Sequence, residues 1–366
     1  MKLGLSCGFW GQGGSRDADN LELVDRAEAL GVSVVWASEA YGPDAATVLA
    51  WIGARTTTIG LGAGVFQIPG RTPAMTAMTA ASLDSLSGGR FRLGLGVSGP
   101  QVSEGWHGVP FGAPLGRTRE YAEIVRSALA RRPVVYDGKH FTLPLPEGAG
   151  KSLRLNVSAP RREVPIYLAA VGPKNLELAG EIGDGWLGVF ASPDYLHEQR
   201  DAIERGRAKR QQASDSASDD AALKDLPTRR FELDTTVPVA VGADIERCAS
   251  SIAPYAALYV GGMGSREQNF YNALACRMGY EAEATRVQDL YLDKKWREAA
   301  AAVPVQFIDD TSLIGPADRL AQRMQRYADA GVTTLTLAPW GEDLHTRMES
   351  LEAAVEAAAS VTGGDA

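Results

Sequence analysis

The chain is poor in the residues from which metal sites and disulfides are built. Its 366 residues include three cysteines, Cys7, Cys248 and Cys276, and four histidines. An odd set of cysteines spread so widely excludes a disulfide framework and points to a reducing, cytoplasmic setting. No two histidines stand four apart, so no metal site is expected. Long apolar runs are absent too: nothing approaches the ~18 uncharged residues of a membrane span. The amino-terminal MKLGLSCGFWGQGG holds one lysine and a short apolar stretch before its glycines, which reads as a first strand and not as a signal peptide. Basic residues are outnumbered, 37 against 45 acidic, and the net charge of −8 speaks against a nucleic-acid partner. What remains is a globular chain, 45% hydrophobic, whose expected partner is a small molecule.

The apolar residues fall into an alternating rhythm. Strand-like runs at residues 2–7, SVVWAS, TIGLGAGVF, RFRLGLGV, VPIYLAA, GWLGVF, FELDTTVPVAVG and VTTLTLAP are each followed by an amphipathic helical run. These runs are apolar at nearly every position, as burial on both faces of a parallel sheet requires. Eight such units predict one α/β domain over 1–366, a (β/α)8 TIM barrel, with an open doubly wound sheet as the competing architecture. Residues 133–163 break the rhythm after the fourth strand, and a hairpin turning at Asp137-Gly138 is expected there. A polar, acidic stretch at 211–227 reads as an exposed loop, and helices beyond the repeat are expected over 243–302, interrupted at VGGMGSRE. In a barrel the chemistry lies at the carboxyl ends of the strands.

Those ends carry the candidate residues. Glycines at 60, 62 and 64 leave the third strand with little side chain before Pro69 and Pro73. This spacing fits a tight strand-to-helix turn, or a bare backbone against which a flat ligand lies. Ala169 and Ala170 end the fifth strand, and Val171 and Gly172-Pro173 lead into a helix with Lys174 in its first turn. A helix start of this kind offers amide donors to an anion, phosphate above all; a turn with proline at the first helical position and a solvated lysine is the alternative. Ser98 and Gly99 close the fourth strand, where the preceding G-x-G lacks the rest of a dinucleotide fingerprint. Ser38, Glu39 and Tyr41 follow the second strand, and the carboxylate there serves either a ligand or a helix cap. Glu104, Trp106 and His107 stand on the loop after the fourth strand and either line a pocket and supply a proton, or pack their own loop. Trp10 and Trp340, after the first and eighth strands, invite the same two readings.

Three segments together carry a resemblance: GLGAGVFQIPGRTPAMTAMTAASLDSLSGGRFRLGLG, PIYLAAVGPKNLELAGEIGDGWL and GPADRLAQRMQRYADAGVTTLTLAP. They resemble the luciferase-like monooxygenase superfamily, nearest the branch that uses the deazaflavin coenzyme F420 and includes methylenetetrahydromethanopterin reductase. The resemblance implies a barrel that holds a tricyclic ring at its mouth, with a non-prolyl cis peptide at Gly64-Val65 forming a bulge behind the ring. It places Ser38, Glu39, Ser98 and Gly99 near the ring, and the phosphate-bearing tail toward Ala169, Ala170, Val171, Gly172 and Lys174. The implied reaction is hydride transfer from the reduced deazaflavin to a C=C or C=N bond; an FMN monooxygenase and a non-catalytic flavin-binding protein are the alternatives. Trp10, Gln67, Trp106 and the 133–163 insertion would wall the substrate. Glu39, His107, Tyr41 and Glu104, in that order, are the candidate proton partners. Relatives often carry Asp-His where this chain has Glu39-Ala40, which argues against an alcohol dehydrogenase, and the VFAS stretch lacks the threonine and lysine of some relatives. A homodimer is the family's habit.

Overall fold

Eight parallel strands close on themselves in the computed structural model, which describes residues 1–11, 16–157, 160–161, 163–215 and 230–362. They are β1 (Lys2–Ser6), β2 (Val34–Ala37), β3 (Gly60–Gln67), β4 (Phe91–Gly96), β5 (Ile166–Ala169), β6 (Gly185–Val189), β7 (Glu232–Val241) and β8 (Thr334–Pro339). Each pairs with the next, and β8 pairs with β1, so the expected TIM barrel is what the chain forms.

Side chains alternate across each strand. Leu5, Val35, Leu61, Leu93, Leu168 and Leu337 pack outward into the main core beneath the helices. Val34, Trp36 and Tyr167, with Leu187, instead form a separate cluster. The helices are set by local chemistry. Asp44 caps Ala45–Arg55 by accepting from the Thr47 N–H at 2.8 Å, and Thr72 caps Pro73–Leu86, where proline occupies the first turn.

The glycines of β3 and β4 serve the barrel itself. A Cβ on Gly62 would collide with the Trp36 indole of the neighbouring strand. Gly94 and Gly96 leave room for the Ala63 carbonyl and the Val65 side chain, which the irregular register between Ala63 and Phe66 pushes toward β4. The Gly64-Val65 peptide is cis, as the resemblance implied. At Gly62 the space a side chain would fill belongs to Trp36.

Other expectations shift in detail. The hairpin exists, but Asp137 pairs with Thr142, so a four-residue loop, 138–141, makes the turn in place of Asp137-Gly138. The helix after β6 runs over Leu196–Asp215, into the stretch read as loop, and the remainder of 211–227 lies outside the described residues. A short strand not expected from sequence, Leu313–Gly315, pairs with Val239–Val241 because β7 is ten residues long and outreaches the barrel. Between β7 and β8 the helices Ile245–Ala257, Phe270–Arg277, Glu281–Leu292, Trp296–Ala301 and Val305–Asp310 form a second apolar core, centred on Phe190, Ile252, Val260 and Phe307.

Candidate functional site

The carboxyl ends of the strands are where buried backbone opens to solvent. Gly64 and Val65 are half-buried in a strand otherwise buried throughout, and Ser98, Gly99, Ala169, Val171 and Gly172 are half-buried around the same rim. Small residues here leave backbone partly open around the rim.

Gln67 ties one side of this mouth together. Its side chain is buried; its amide nitrogen donates to Ser98 Oγ at 2.9 Å, and its amide oxygen meets His107 Nε2 at 3.0 Å. With the nitrogen spent on Ser98, the oxygen must accept, so His107 carries a proton on Nε2. Ser98 takes a left-handed backbone conformation, φ 59°, which aims its hydroxyl at Gln67. The Gln67 N–H donates to Glu39 Oε2 at 3.1 Å. Gln67, expected as a pocket wall, is therefore the connector between the ends of β2, β3 and β4.

Glu39 is not a free acid. Both of its oxygens accept from Arg71 Nη1 at 2.8 Å, and Oε1 also accepts from the Ala45 N–H at 3.2 Å. The two side chains are only 9% and 14% exposed, and Arg71 also pairs with Asp44 and lies over the Phe66 ring at 4.5 Å. A carboxylate held by a guanidinium and two amides is a brace between the ends of β2 and β3. Glu104 is exposed and accepts from the Phe111 N–H at 3.0 Å, closing its own loop. Tyr41 and Trp106 are 61% and 65% exposed. Trp10 is 1% exposed and packs edge-on against Trp51 at 6.2 Å within the main core, so it is not a pocket wall. Of the four candidate proton partners, His107 is the one tied to Gln67, through Nε2, which leaves Nδ1 as the ring atom not engaged there.

Two places on the rim leave polar donors without a side-chain partner. Gly172 caps the helix Pro173–Ile182 with no side-chain hydrogen bond, and a Cβ on it would meet nothing within 4 Å; Ala169, Ala170 and the exposed Lys174 flank it. Across the rim lies a small cavity of about 20 Å³ lined by Ile68, Pro69, Val97, Phe111 and Arg117. The Arg117 Nε is buried there without a hydrogen-bond partner. Sequence reading missed Arg117 because an arginine on an amphipathic helix looks like a solvated face.

An aromatic roof was also missed. Phe190 follows β6 with φ 52°, and Tyr255, Tyr259 and Phe307 surround it at ring distances of 5.4, 5.4 and 5.7 Å. Tyr259 packs on Tyr271 at 4.8 Å, and Tyr255 on Trp340, just past β8, at 5.4 Å. Arg277 donates to the Val171 carbonyl at 3.2 Å, and Phe270 meets Phe111 at 6.3 Å, so these helices reach over the ends of β4 and β5 as well. Burial pushes the Tyr255, Tyr259 and Tyr271 phenols up although each keeps part of its surface open, which describes the wall of a concavity. The VGGMGSRE break between helices was its one trace in the sequence.

A sequence model described as luciferase-like monooxygenase matches residues 1–334. A Mycobacterium tuberculosis protein named as a coenzyme F420-dependent oxidoreductase is 42% identical over 342 residues, covering 92% of this chain and 94% of that protein. The 5,10-methylenetetrahydromethanopterin reductase of Archaeoglobus fulgidus is 27% identical over 322 residues, 87% of this chain and 89% of its own. Among solved structures, the coenzyme F420 dependent tetrahydromethanopterin reductase of Methanopyrus kandleri superposes with a TM-score of 0.76 at 22% identity, covering 99% and 98% of the two chains.

Proposed function

The chain belongs to the luciferase-like monooxygenase family, and from that premise we propose that it is a coenzyme F420-dependent oxidoreductase that reduces a C=C or C=N bond of a small molecule. The 42% identity to an F420-dependent oxidoreductase across nearly the whole of both chains carries this reading. When bound, the deazaflavin supplies a hydride donor that does not readily activate oxygen. The chain's own residues supply the rest. Gly64, Val65, Ser98 and Ala169 give a flat, backbone-rich bed, and the open helix start at Gly172 is the anchor offered to a phosphate. His107, oriented through Nε2 by Gln67, is the proton partner, and the tyrosine roof faces the substrate side.

Titration of the purified protein with F420 and with FMN, followed by the coenzyme's fluorescence, tests the reading. Tight F420 binding and oxidation of the reduced coenzyme by enones or imines without oxygen uptake is the expected result. FMN binding with oxygen consumption would replace the reading by a monooxygenase, and binding without turnover of any acceptor by a flavin-binding protein. A homodimer and a cytoplasmic location belong to the same proposal. Trp51, Met75 and Met78 stand exposed on adjacent helices, as an interface needs, and Cys7, Cys248 and Cys276 are all free thiols. Among the described residues no helix is long and apolar enough to cross a membrane.

A further inference from the structure

Barrel interiors are normally filled by branched apolar side chains. This one holds a carboxylate. Asp234, on β7, is 1% exposed, and both of its oxygens are used: Oδ2 accepts from the Trp36 indole Nε1–H at 2.9 Å, and Oδ1 from the Thr336 hydroxyl at 2.6 Å. The indole so held lies directly against Gly62 and Gly64; a Cβ on Gly64 would sit 3.3 Å from Trp36 Cβ. Tyr167 buttresses the indole edge-on at 5.3 Å, its own hydroxyl donating to Glu232 at 2.6 Å. Trp36 is therefore the side chain immediately beneath the half-buried Gly64-Val65 bulge, and its one polar atom is fixed from three strands away.

We propose that Asp234 is a positioning residue: through the Trp36 indole it sets the floor behind the Gly64-Val65 bulge, and so the fit of the planar coenzyme ring. This rests on the reading of the mouth as a deazaflavin site. A buried carboxylate is a costly way to fill a barrel, since an apolar residue of similar volume packs without desolvating a charge. What the carboxylate adds is direction: it accepts an N–H from a ring that would otherwise bury that donor unpaired, and thereby selects one orientation of the indole.

The test is a comparison of Asp234→Asn, Asp234→Leu and the wild type, each checked for folding by thermal unfolding and titrated with F420. Coenzyme affinity is read by fluorescence, and the surroundings of the bound ring by visible circular dichroism. Asn keeps an acceptor for Trp36 and a partner for Thr336, so wild-type affinity and an unchanged dichroic band are expected. Leu keeps the bulk and loses both contacts, so affinity weakened about tenfold or more and an altered band are expected. A folded Asp234→Leu that binds like the wild type would overturn the inference and leave the coenzyme assignment standing. Equal weakening by Asn and Leu would overturn it as well, because charge and not the hold on the indole would then matter. Should Asp234→Leu fail to fold, Trp36→Phe decides, since it removes the N–H and keeps a ring: unchanged affinity and dichroism overturn the proposal, and weakened binding supports it. A wild type that binds neither F420 nor FMN removes the function reading first, and the inference with it.

Discussion

Gly62 and Gly172 separate two reasons for a missing side chain. At Gly62 a methyl would drive into the Trp36 indole, so Gly62→Ala should cost about 1–3 kcal/mol, read as a lowered midpoint in denaturant. At Gly172 a methyl meets nothing, so Gly172→Ala should leave stability within about 0.5 kcal/mol and show its effect in coenzyme affinity if the tail lies there. Asp234 gives a pH signature. Burial raises its carboxyl from 3.8 to about 7, against the lowering pull of Thr336, Arg92 and Trp36 and with Glu232 adding to the rise. A raised carboxyl favours the fold most below its unfolded value, and that contribution is lost as pH rises from about 4 through 7. Asp234→Asn should accordingly gain stability over the wild type between pH 5 and pH 8, which thermal unfolding across that range would show. His107→Ala should lower turnover of the reduced coenzyme by about a hundredfold with coenzyme affinity unchanged; an unaltered rate would remove His107 from the mechanism. None of these partners was legible locally. Arg71 meets Glu39 across 32 residues, and Asp234 meets Trp36 across 198, so the sequence showed the polar residues and not what they hold.

Elements were the most legible level. Strands apolar on nearly every position, separated by capped helices, leave few alternatives to a closed parallel barrel, and the eight strands stand where periodicity put them. The strand Leu313–Gly315 escaped because three apolar residues carry no period; only the overreach of β7 makes them a strand. The aromatic roof escaped because tyrosines on helices read as ordinary core. Contacts between elements also set the acid limit of the fold. Glu28, at the end of Arg16–Ala29, grips the approach to β3. Burial alone would raise its carboxyl, yet the N–H groups of Thr58, Ile59 and Thr57 and the Thr58 hydroxyl together bring it down to about 2. A depressed carboxyl contributes above its unfolded value of 4.5 and loses that contribution as pH falls toward 2. Wild-type stability should drop through that window more steeply than that of Glu28→Gln, whose amide cannot carry the charge.

At the scale of the molecule, the exposed Trp51, Met75 and Met78 make association a measurable expectation. Sedimentation should give a dimer for the wild type, and Met78→Glu should shift it toward monomer with the barrel's circular dichroism intact. The division of apolar residues into one core under the barrel helices and another around Phe190 has a consequence for motion. Units that bury separate apolar surfaces open separately. The amides of Phe270–Arg277 and Glu281–Leu292 should therefore exchange with deuterium well before those of β1 to β4, and a ligand seated between the two should slow the first group alone. The way in and out of such an enzyme would then be a loosening canopy over a foundation that never shifts.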